Sequence, residues 1–459
     1  MSDLDPEEFR RLGYQLVDWV AGYRAGLREL PVRPAVEPGQ IRAALPLDLP
    51  EDPAPDLGAA LTGLLDDVVV PGSLHWQHPR YFGYFPAQAS LFSLLGDLAS
   101  GGLGAQGMLW STGPAATEVE QVVVDGVARA LGLDAAFTFD GGGGGSLQDS
   151  ASSAALVALL AALHRADPRW REDGVRGDER VYVTAETHSS LAKAVRIAGL
   201  GAGALRIVPS WAVFADMVAA DRAAGLRPIL VCPTVGTTGT GTVDPVAAVC
   251  AAADGMWVHV DAAWAGVAAV CPEFRDVLEG VERADSLCTD AHKWFGTAFD
   301  ASFLWVRDGA ALPAALSITP EYLRNSASES GEVVDYRDWQ VPLGRRFRAL
   351  KVWAVLHGMG LAGLRAMIRE HVRLAQDLAA RVQADPRFVL AAPPSLALVC
   401  LRDASGDAAT KALLERVNAT GRAFLTHTVV DGHYAIRVAV GSLTTTQDDL
   451  DALWQILSR

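Results

Sequence analysis

The sequence predicts an α/β protein: a mainly parallel central sheet with helices on both faces, preceded by an N-terminal helical arm and followed by a small C-terminal α+β domain. Three observations predict it. From about Tyr81 to Val306, apolar helical segments alternate with short β-branched runs, the signature of strand–helix–strand units. After Gly344 a long helical stretch, Arg345–Asp385, precedes shorter strands. Half of the 459 residues are hydrophobic and 20% are charged, which supplies a core and excludes a disordered chain.

The elements follow in order. Asp5-Pro6-Glu7-Glu8 reads as a helix start, with a capping residue, proline in the first turn and acids at the positive end of the dipole. Phe9, Leu12, Leu16, Val20 and Tyr23 then form one apolar stripe at helical spacing, facing either a second subunit or the chain's own main domain. Pro31–Pro55 is a proline-rich connector. Helices are expected at Ala154–His164, Leu191–Ala198 and Pro245–Ala253, and strands at Val181–Thr184, Ile229–Cys232, Met256–Val260 and Ser302–Val306. Leu396–Leu401 and Tyr434–Val440 are strands of the last unit. The implied division is 1–85 for the arm and dimerisation segment, 86–350 for the large domain and 351–459 for the small one. Gly141–Gly145 is the one low-complexity run.

Composition also excludes. The net charge is −15 and no Lys/Arg run occurs, so no nucleic-acid partner is expected. Five cysteines, an odd number without a CxxC pair, suggest neither a disulfide framework nor a zinc site, and no metal is expected. The acidic start MSDLDPEEF is not a secretory signal, and the apolar run near Ala154–Leu163 is too short to cross a bilayer. The expectation is a cytoplasmic protein without membrane contact.

Several segments could carry chemistry. Asp261 ends the run Met256–Val260 and is followed by Ala262, Ala263, Ala265 and Gly266. A carboxylate at the C-terminal edge of a parallel strand lies where open sheets bind ligands, and small neighbours admit a flat ring; the plain alternative is a strand-end Asp that caps a turn. Lys293, one of four lysines, stands in Asp290-Ala291-His292-Lys293-Trp294 among apolar residues. A desolvated lysine can attack a carbonyl, and an aldehyde cofactor with a pyridine ring needs that amine together with a carboxylate for its ring nitrogen. The alternative is a lysine whose amine reaches solvent at a strand end. His188, in Thr187-His188-Ser189-Ser190, either caps a helix or lies at the same sheet edge, stacked on a ring and holding a substrate carboxylate. Gly141–Ser146, leading through Ser150, Ala151 and Ser152 into a helix, reads as a phosphate loop or as a plain flexible linker. Gly236-Thr237-Thr238-Gly239 is a further polar turn at that edge. His75-Trp76 and Tyr81–Pro86 concentrate aromatic rings, either as a core cluster or as an aromatic substrate pocket.

These pieces, in this order, resemble the pyridoxal-phosphate (PLP) group II amino-acid decarboxylases, most closely the aromatic-L-amino-acid decarboxylases. The resemblance covers residues 5–458 and is carried by HVDAAWAG, DAHKW, CPEFR, THSS and SGEVVDYRDWQVPLGRRFRALKVW. It implies the type I aminotransferase-like fold and a homodimer whose N-terminal arm lies over the partner. It implies that Lys293 holds PLP, that Asp261 pairs with the pyridine nitrogen and that Ala263 lies beneath the ring. His188 would stack on the ring, Ala151 and Ser152 would bind the phosphate, Asp290 and His292 would lie at the phosphate end, and Thr238 would contact the cofactor. Tyr322 matches a loop tyrosine that protonates the substrate carbon. The substrate side would comprise Trp76, Tyr84, Phe85, Pro86, Ala87, Gln106, Met108, His188 and Gly344.

The chain departs from the family pattern at several positions. Asp290 stands where Asn is frequent, Asp149 replaces a small or hydroxyl residue, and the glycine run is longer. Ala87 replaces a threonine of animal relatives, Gln106 and Met108 replace apolar or aromatic residues, and Gly344 resembles the glycine of plant relatives acting on indoles. The expected activity is PLP-dependent decarboxylation of an aromatic L-amino acid of the tryptophan, tyrosine or DOPA kind to amine and CO2. The alternatives are a decarboxylase for another side chain, an aromatic aldehyde synthase on the same scaffold, and a binding protein with a dead site.

Overall fold

The β-branched and aromatic runs of the middle of the chain form seven strands: β1 (Gly144–Gln148), β2 (Glu179–Val183), β3 (Leu205–Ile207), β4 (Arg227–Val231), β5 (Trp257–Asp261), β6 (Ser286–Thr289) and β7 (Ser302–Val306). The computed structural model describes residues 3–46, 48, 50–318, 327–328 and 331–459. The strands lie in the order β1-β7-β6-β5-β4-β2-β3. β2 to β6 run parallel, and β7 is antiparallel to both β6 and β1. Every residue of β1, β5, β6 and β7 is buried. A sheet covered on both faces needs apolar residues at successive positions, which is why these strands read as continuous runs. Alternation survives in which core each side chain enters. Phe303 and Trp305 pack with Val123 and Val127 of the helix Pro114–Leu131, whereas Leu304 and Val306 pack with Ala154 and Leu159 of the helix Ala151–Ala166.

The glycine run corrects one expectation. Gly144 and Gly145 belong to β1 and pair with Val306 and Trp305, so the run is not the turn that opens the helix. A Cβ at Gly143 would collide with the carbonyl oxygens of Ala136 and Val306, and one at Gly145 would lie 2.6 Å from Trp305 Cδ1. The glycines therefore let an edge strand pass close to its neighbours. Only Asp149 and Ser150 separate β1 from the helix that begins at Ala151.

The C-terminal residues form a second, four-stranded antiparallel sheet of β8 (Phe388–Leu390), β9 (Leu398–Asp403), β10 (Thr426–Val430) and β11 (His433–Ala439), in the order β10-β11-β9-β8. Helices Asp407–Ala419 and Gln447–Leu457 pack with it. The helix Ala349–Ala384 leads into this unit, so the division expected at residue 350 falls inside it; Gly360, at φ +65°, interrupts its regular geometry. Tyr81 bridges to Phe424, and Ala439 N–H donates to Phe82 C=O at 3.0 Å, which ties the end of the 1–85 segment to the C-terminal sheet. The helix Pro6–Gly26 starts as its sequence signals predict, with the Asp5 carboxylate accepting from Glu7 N–H at 2.7 Å. None of its residues is buried, and Phe9, Tyr14 and Val17 are exposed. No helix among the described residues is long and apolar enough to cross a membrane.

Candidate active site

The site grows from three strand ends. At the carboxyl end of β5, Asp261 N–H donates to Pro233 C=O at 3.0 Å and its C=O accepts from Val235 N–H at 2.8 Å, which keeps the chain beyond β4 in register with β5. Asp261 Oδ1 accepts from Ala263 N–H at 3.0 Å, the Asx turn that a strand-end aspartate favours. Ala263 C=O in turn accepts from Asp290 N–H at 2.8 Å, joining the turn after β5 to the turn after β6. Asp290 opens the one-turn helix Ala291–Trp294, which carries Lys293. The geometry expected at residues 261–293 thus follows from short turns after adjacent parallel strands.

All nine residues expected to meet the cofactor line one cavity of about 230 Å³: Ala151, Ser152, His188, Thr238, Asp261, Ala263, Asp290, His292 and Lys293. His188 has both the capping position and the place at the sheet edge. It caps the helix Ser189–Ile197, its Nδ1 accepting from Ser190 N–H at 3.2 Å and lying 2.9 Å from Ser190 Oγ, and it lines the cavity. A ring whose Nδ1 accepts from a backbone amide carries its hydrogen on Nε2 when neutral.

Lys293 Nζ lies 2.8 Å from Asp290 Oδ2. Burial opposes the ammonium charge, but Asp290 and then Asp261 outweigh it and hold the amine above its ordinary pKa. Burial likewise works against the Asp290 charge, yet Lys293 and His292 keep its carboxyl below the usual range. Burial pushes the Cys232 and Cys288 thiols well above their ordinary values, so both are neutral neighbours of Asp261. Lys351 is more deeply buried, 1% exposed against 26% for the Lys293 side chain, but its Nζ faces Asp97 at 3.3 Å and it does not line the cavity.

The residues present fit PLP. The Ala151 amide at a helix N-terminus, between the Ser150 and Ser152 hydroxyls, suits a phosphate. Asp261 supplies a carboxylate for a ring nitrogen, Lys293 an amine for an aldehyde, and Ala263 leaves room for a flat ring. Thr234 Oγ1 is buried on the cavity wall without a hydrogen-bond partner, a polar atom suited to a polar ligand.

The substrate-side residues divide. Phe85 and His188 line the cavity; Trp76, Tyr84, Pro86, Ala87, Gln106, Met108 and Gly344 do not. Trp76 and Tyr84 stack on each other at 5.9 Å and are exposed, with Tyr84 in the left-handed region at φ +48°. Gln106, Met108 and Gly344 form a separate cluster. Gln106 Oε1 accepts from Arg345 N–H at 2.6 Å, a Cβ on Gly344 would lie 3.7 Å from Gln106 Nε2, and Met108 C=O accepts from Arg337 N–H at 3.0 Å. These contacts tie the segment after the helix Leu91–Leu103 to residues 337–345 and not to the strand ends. Tyr322 lies outside the described residues.

Some cavity residues carried no expectation. Thr234 and Trp264 line it, although Trp264 stood inside the HVDAAWAG run, and Gly236 joins them from the polar turn expected at this edge. Trp264 stacks on Phe85 at 4.2 Å and on Trp294 at 5.1 Å, making one wall a column of rings. Arg437 of β11 lies 5.0 Å from the Phe85 ring and donates to Gly239 C=O at 3.1 Å and Tyr84 C=O at 3.3 Å; no motif singles it out. Among the described residues no group of three or more His, Cys, Asp or Glu is placed to hold a metal ion.

Comparison with known proteins agrees with this geometry. Residues 38–403 match the model of the pyridoxal-dependent decarboxylase conserved domain. Tyrosine decarboxylase 1 of Narcissus pseudonarcissus is 42% identical, the alignment covering 100% of this chain and 93% of that protein. Phenylacetaldehyde synthase of Arabidopsis thaliana is 41% identical over 100% of this chain and 96% of its own. A crystal structure of Oryza sativa TDC with PLP and tryptamine superposes with a TM-score of 0.96 at 39% identity, covering 100% of this chain and 98% of that one. With the lysine, the strand-end carboxylate and the helix N-terminus at Ala151 in one cavity, and a family match across most of its length, the chain belongs to the pyridoxal-dependent decarboxylase family and uses PLP as its cofactor.

Proposed function

We propose that this enzyme decarboxylates an aromatic L-amino acid to the corresponding amine and CO2. The observation that carries the substrate class is the ring column: Phe85 and Trp264 form a flat apolar wall in the cavity that also holds Lys293, Asp261 and His188. Such a wall suits an aromatic side chain packed in offset or edge-on contact.

When bound, PLP supplies a protonated pyridine ring that draws in the electron pair of the broken carbon–carboxylate bond. Asp261 keeps the proton on the ring nitrogen, because an anion beside a cation favours the charged form. The Ala151 amide with Ser150 and Ser152 orients the phosphate end. Lys293 would hold the aldehyde through its amine. His188, with hydrogen on Nε2, would donate to the substrate carboxylate and orient it. Phe85 and Trp264 exclude water. The Tyr322 hydroxyl returns a proton to the substrate carbon as a general acid.

Incubation with PLP and a panel of twenty L-amino acids, with CO2 measured, tests this reading. Release confined to the aromatic members is expected, and release from glutamate instead overturns it. A second reading, oxidative formation of an aldehyde on the same scaffold, is favoured by the likeness to phenylacetaldehyde synthase. The tyrosine at 322 argues for the amine. Tyr322→Phe is expected to shift product from amine toward aldehyde with oxygen uptake, and an unchanged product excludes Tyr322 as donor.

A homodimer belongs to this proposal. The Gln106–Met108–Gly344 cluster lies away from the chain's own cavity, and Phe9, Tyr14, Val17, Leu95 and Leu98 expose apolar surface. A second copy that covers those faces brings its cluster to the cavity of the first. All five cysteines are free, which suits a reducing, cytoplasmic setting.

A further inference from the structure

Asp290 occupies an unexpected position for an acid. It is 2% exposed, its Oδ1 accepts from Ala151 N–H at 2.9 Å, and its Oδ2 lies 2.8 Å from Lys293 Nζ and 3.6 Å from His292 Nε2. One carboxylate therefore engages the helix-terminal amide suited to a phosphate, the imidazole beside it and the amine suited to an aldehyde. The two remaining departures at the phosphate end act differently: Asp149 Oδ1 accepts from Ser150 Oγ at 2.9 Å and so engages a hydroxyl of the cradle but not its amide, and Gly144 and Gly145 of the glycine run lie in β1.

We propose that Asp290 is a stand-in anion, holding the Ala151 amide and pairing with the Lys293 ammonium until PLP arrives, and that it thereby sets how fast and how tightly this chain takes up its cofactor. The proposal rests on the PLP assignment. Covalent uptake needs Lys293 as a neutral amine. Its extra proton goes to solvent, the nitrogen attacks the aldehyde carbon, a C=N bond forms and the carbonyl oxygen leaves as water. A carboxylate 2.8 Å away opposes the first of these events. The incoming phosphate also brings negative charge to an amide that Asp290 already engages, and like charges at close range repel.

Asp290→Asn keeps the size and an oxygen for the Ala151 amide, removes the charge and adds a donor that a phosphate can use. Uptake is followed with cofactor-free protein by the rise of the imine absorbance, and affinity by titration. The groups around Asp290 that also titrate or carry charge are Lys293 and His292 on its own turn, Asp261 from β5, Cys288 from β6 and Asp300 before β7. In the variant, PLP uptake at neutral pH is expected to rise at least about tenfold, the equivalent of one pKa unit in the lysine. The alkaline rise in wild-type uptake should move to lower pH. Pyridoxal, which lacks the phosphate, should gain less, since only the lysine is released for it.

Asp290→Ser serves as a second variant should the amide disturb packing. Uptake as slow as wild type in both variants overturns the proposal, and equal gains for PLP and pyridoxal overturn the phosphate half of it. A wild-type chain that develops no imine band with PLP removes the cofactor assignment and the proposal with it, whereas a wild-type band with unchanged variants removes the proposal alone.

Discussion

The cofactor cavity and the Gln106–Met108–Gly344 cluster are two parts of one expected active site, and the chain treats them differently. The cavity is built at the carboxyl ends of β4, β5 and β6, where short turns linked by backbone hydrogen bonds fix Asp261, Ala263, Asp290 and Lys293 in one place. The cluster is anchored elsewhere, through Arg345 to the buried carboxylate of Glu120 and to the edge strand β1. The difference teaches that the chemistry common to the family is carried by the sheet itself, whereas under the proposed homodimer part of the substrate side would be carried by segments of a second copy.

The largest expected effects break one region at a time. Lys293→Ala should lower turnover by at least about 10⁴-fold, the upper range for loss of a positioned catalytic group, and abolish the imine absorbance. The fold should be intact by circular dichroism, because the lysine forms none of the core. Turnover within tenfold of wild type would remove Lys293 from its role. Glu120→Gln strikes the other region. Glu120 and Arg345 side chains are each 1% exposed and paired, with Glu120 Oε1 also accepting from Leu147 N–H at 2.6 Å. Removing one charge leaves the guanidinium buried and unpaired, which should destabilise the protein by about 3–5 kcal/mol in chemical denaturation. A loss below about 1 kcal/mol would show that the pair is dispensable as an anchor.

What the sequence revealed follows the same division. Asp261 was legible because it ends a β-branched run followed by small residues, and strand ends of a parallel sheet have one geometry; Lys293 was legible as one of only four lysines, set among apolar residues in Asp290–Trp294. The strand at Ser302–Val306 is found as expected, although no pattern announced that it runs antiparallel to its neighbours. Gly141–Gly145 misled because glycine marks both turns and close backbone approach, and only the position of Trp305 across the pair tells them apart. Arg437 was illegible, since its partners Tyr84 and Gly239 are brought to it by tertiary packing from more than 190 positions away. Burial alone does not mark Lys293 either: its side chain is 26% exposed, whereas Lys351 is 1% exposed and faces Asp97, remote from the strand ends.

Asp261→Asn sharpens the account of the cavity without emptying it. The amide keeps an oxygen for the Ala263 N–H, now at 3.0 Å, so the turn and the shape of the cavity should survive. The lost charge no longer holds a proton on the ring nitrogen, and turnover should fall by about 10²–10³-fold, as for other preorganised electrostatic groups. PLP affinity, measured by titration, should fall much less. Equal losses in affinity and turnover would mean that Asp261 serves binding and not the electron sink.

Gly344→Ser gives the smallest effect and asks the most of the comparison. Gly344 has ordinary backbone geometry, and a Cβ there meets only Gln106 Nε2 at 3.7 Å, so serine fits without strain. Folding stability should change by less than about 0.5 kcal/mol, as for substitutions away from buried features. The hydroxyl lies within reach of the Gln106 amide and makes the cluster smaller and more polar. If a second copy presents this cluster to the cavity, an indole loses room and a phenol gains a hydrogen-bond partner. The ratio of kcat/KM for tryptophan to that for tyrosine should then fall by about 3- to 10-fold, the range of roughly one added hydrogen bond. Because Gly344 does not line the cavity of its own chain, a changed ratio would support the proposed contribution of a second copy. An unchanged ratio, in protein shown by sedimentation to be dimeric, would place the cluster outside the substrate site and leave Phe85 and Trp264 to select the side chain.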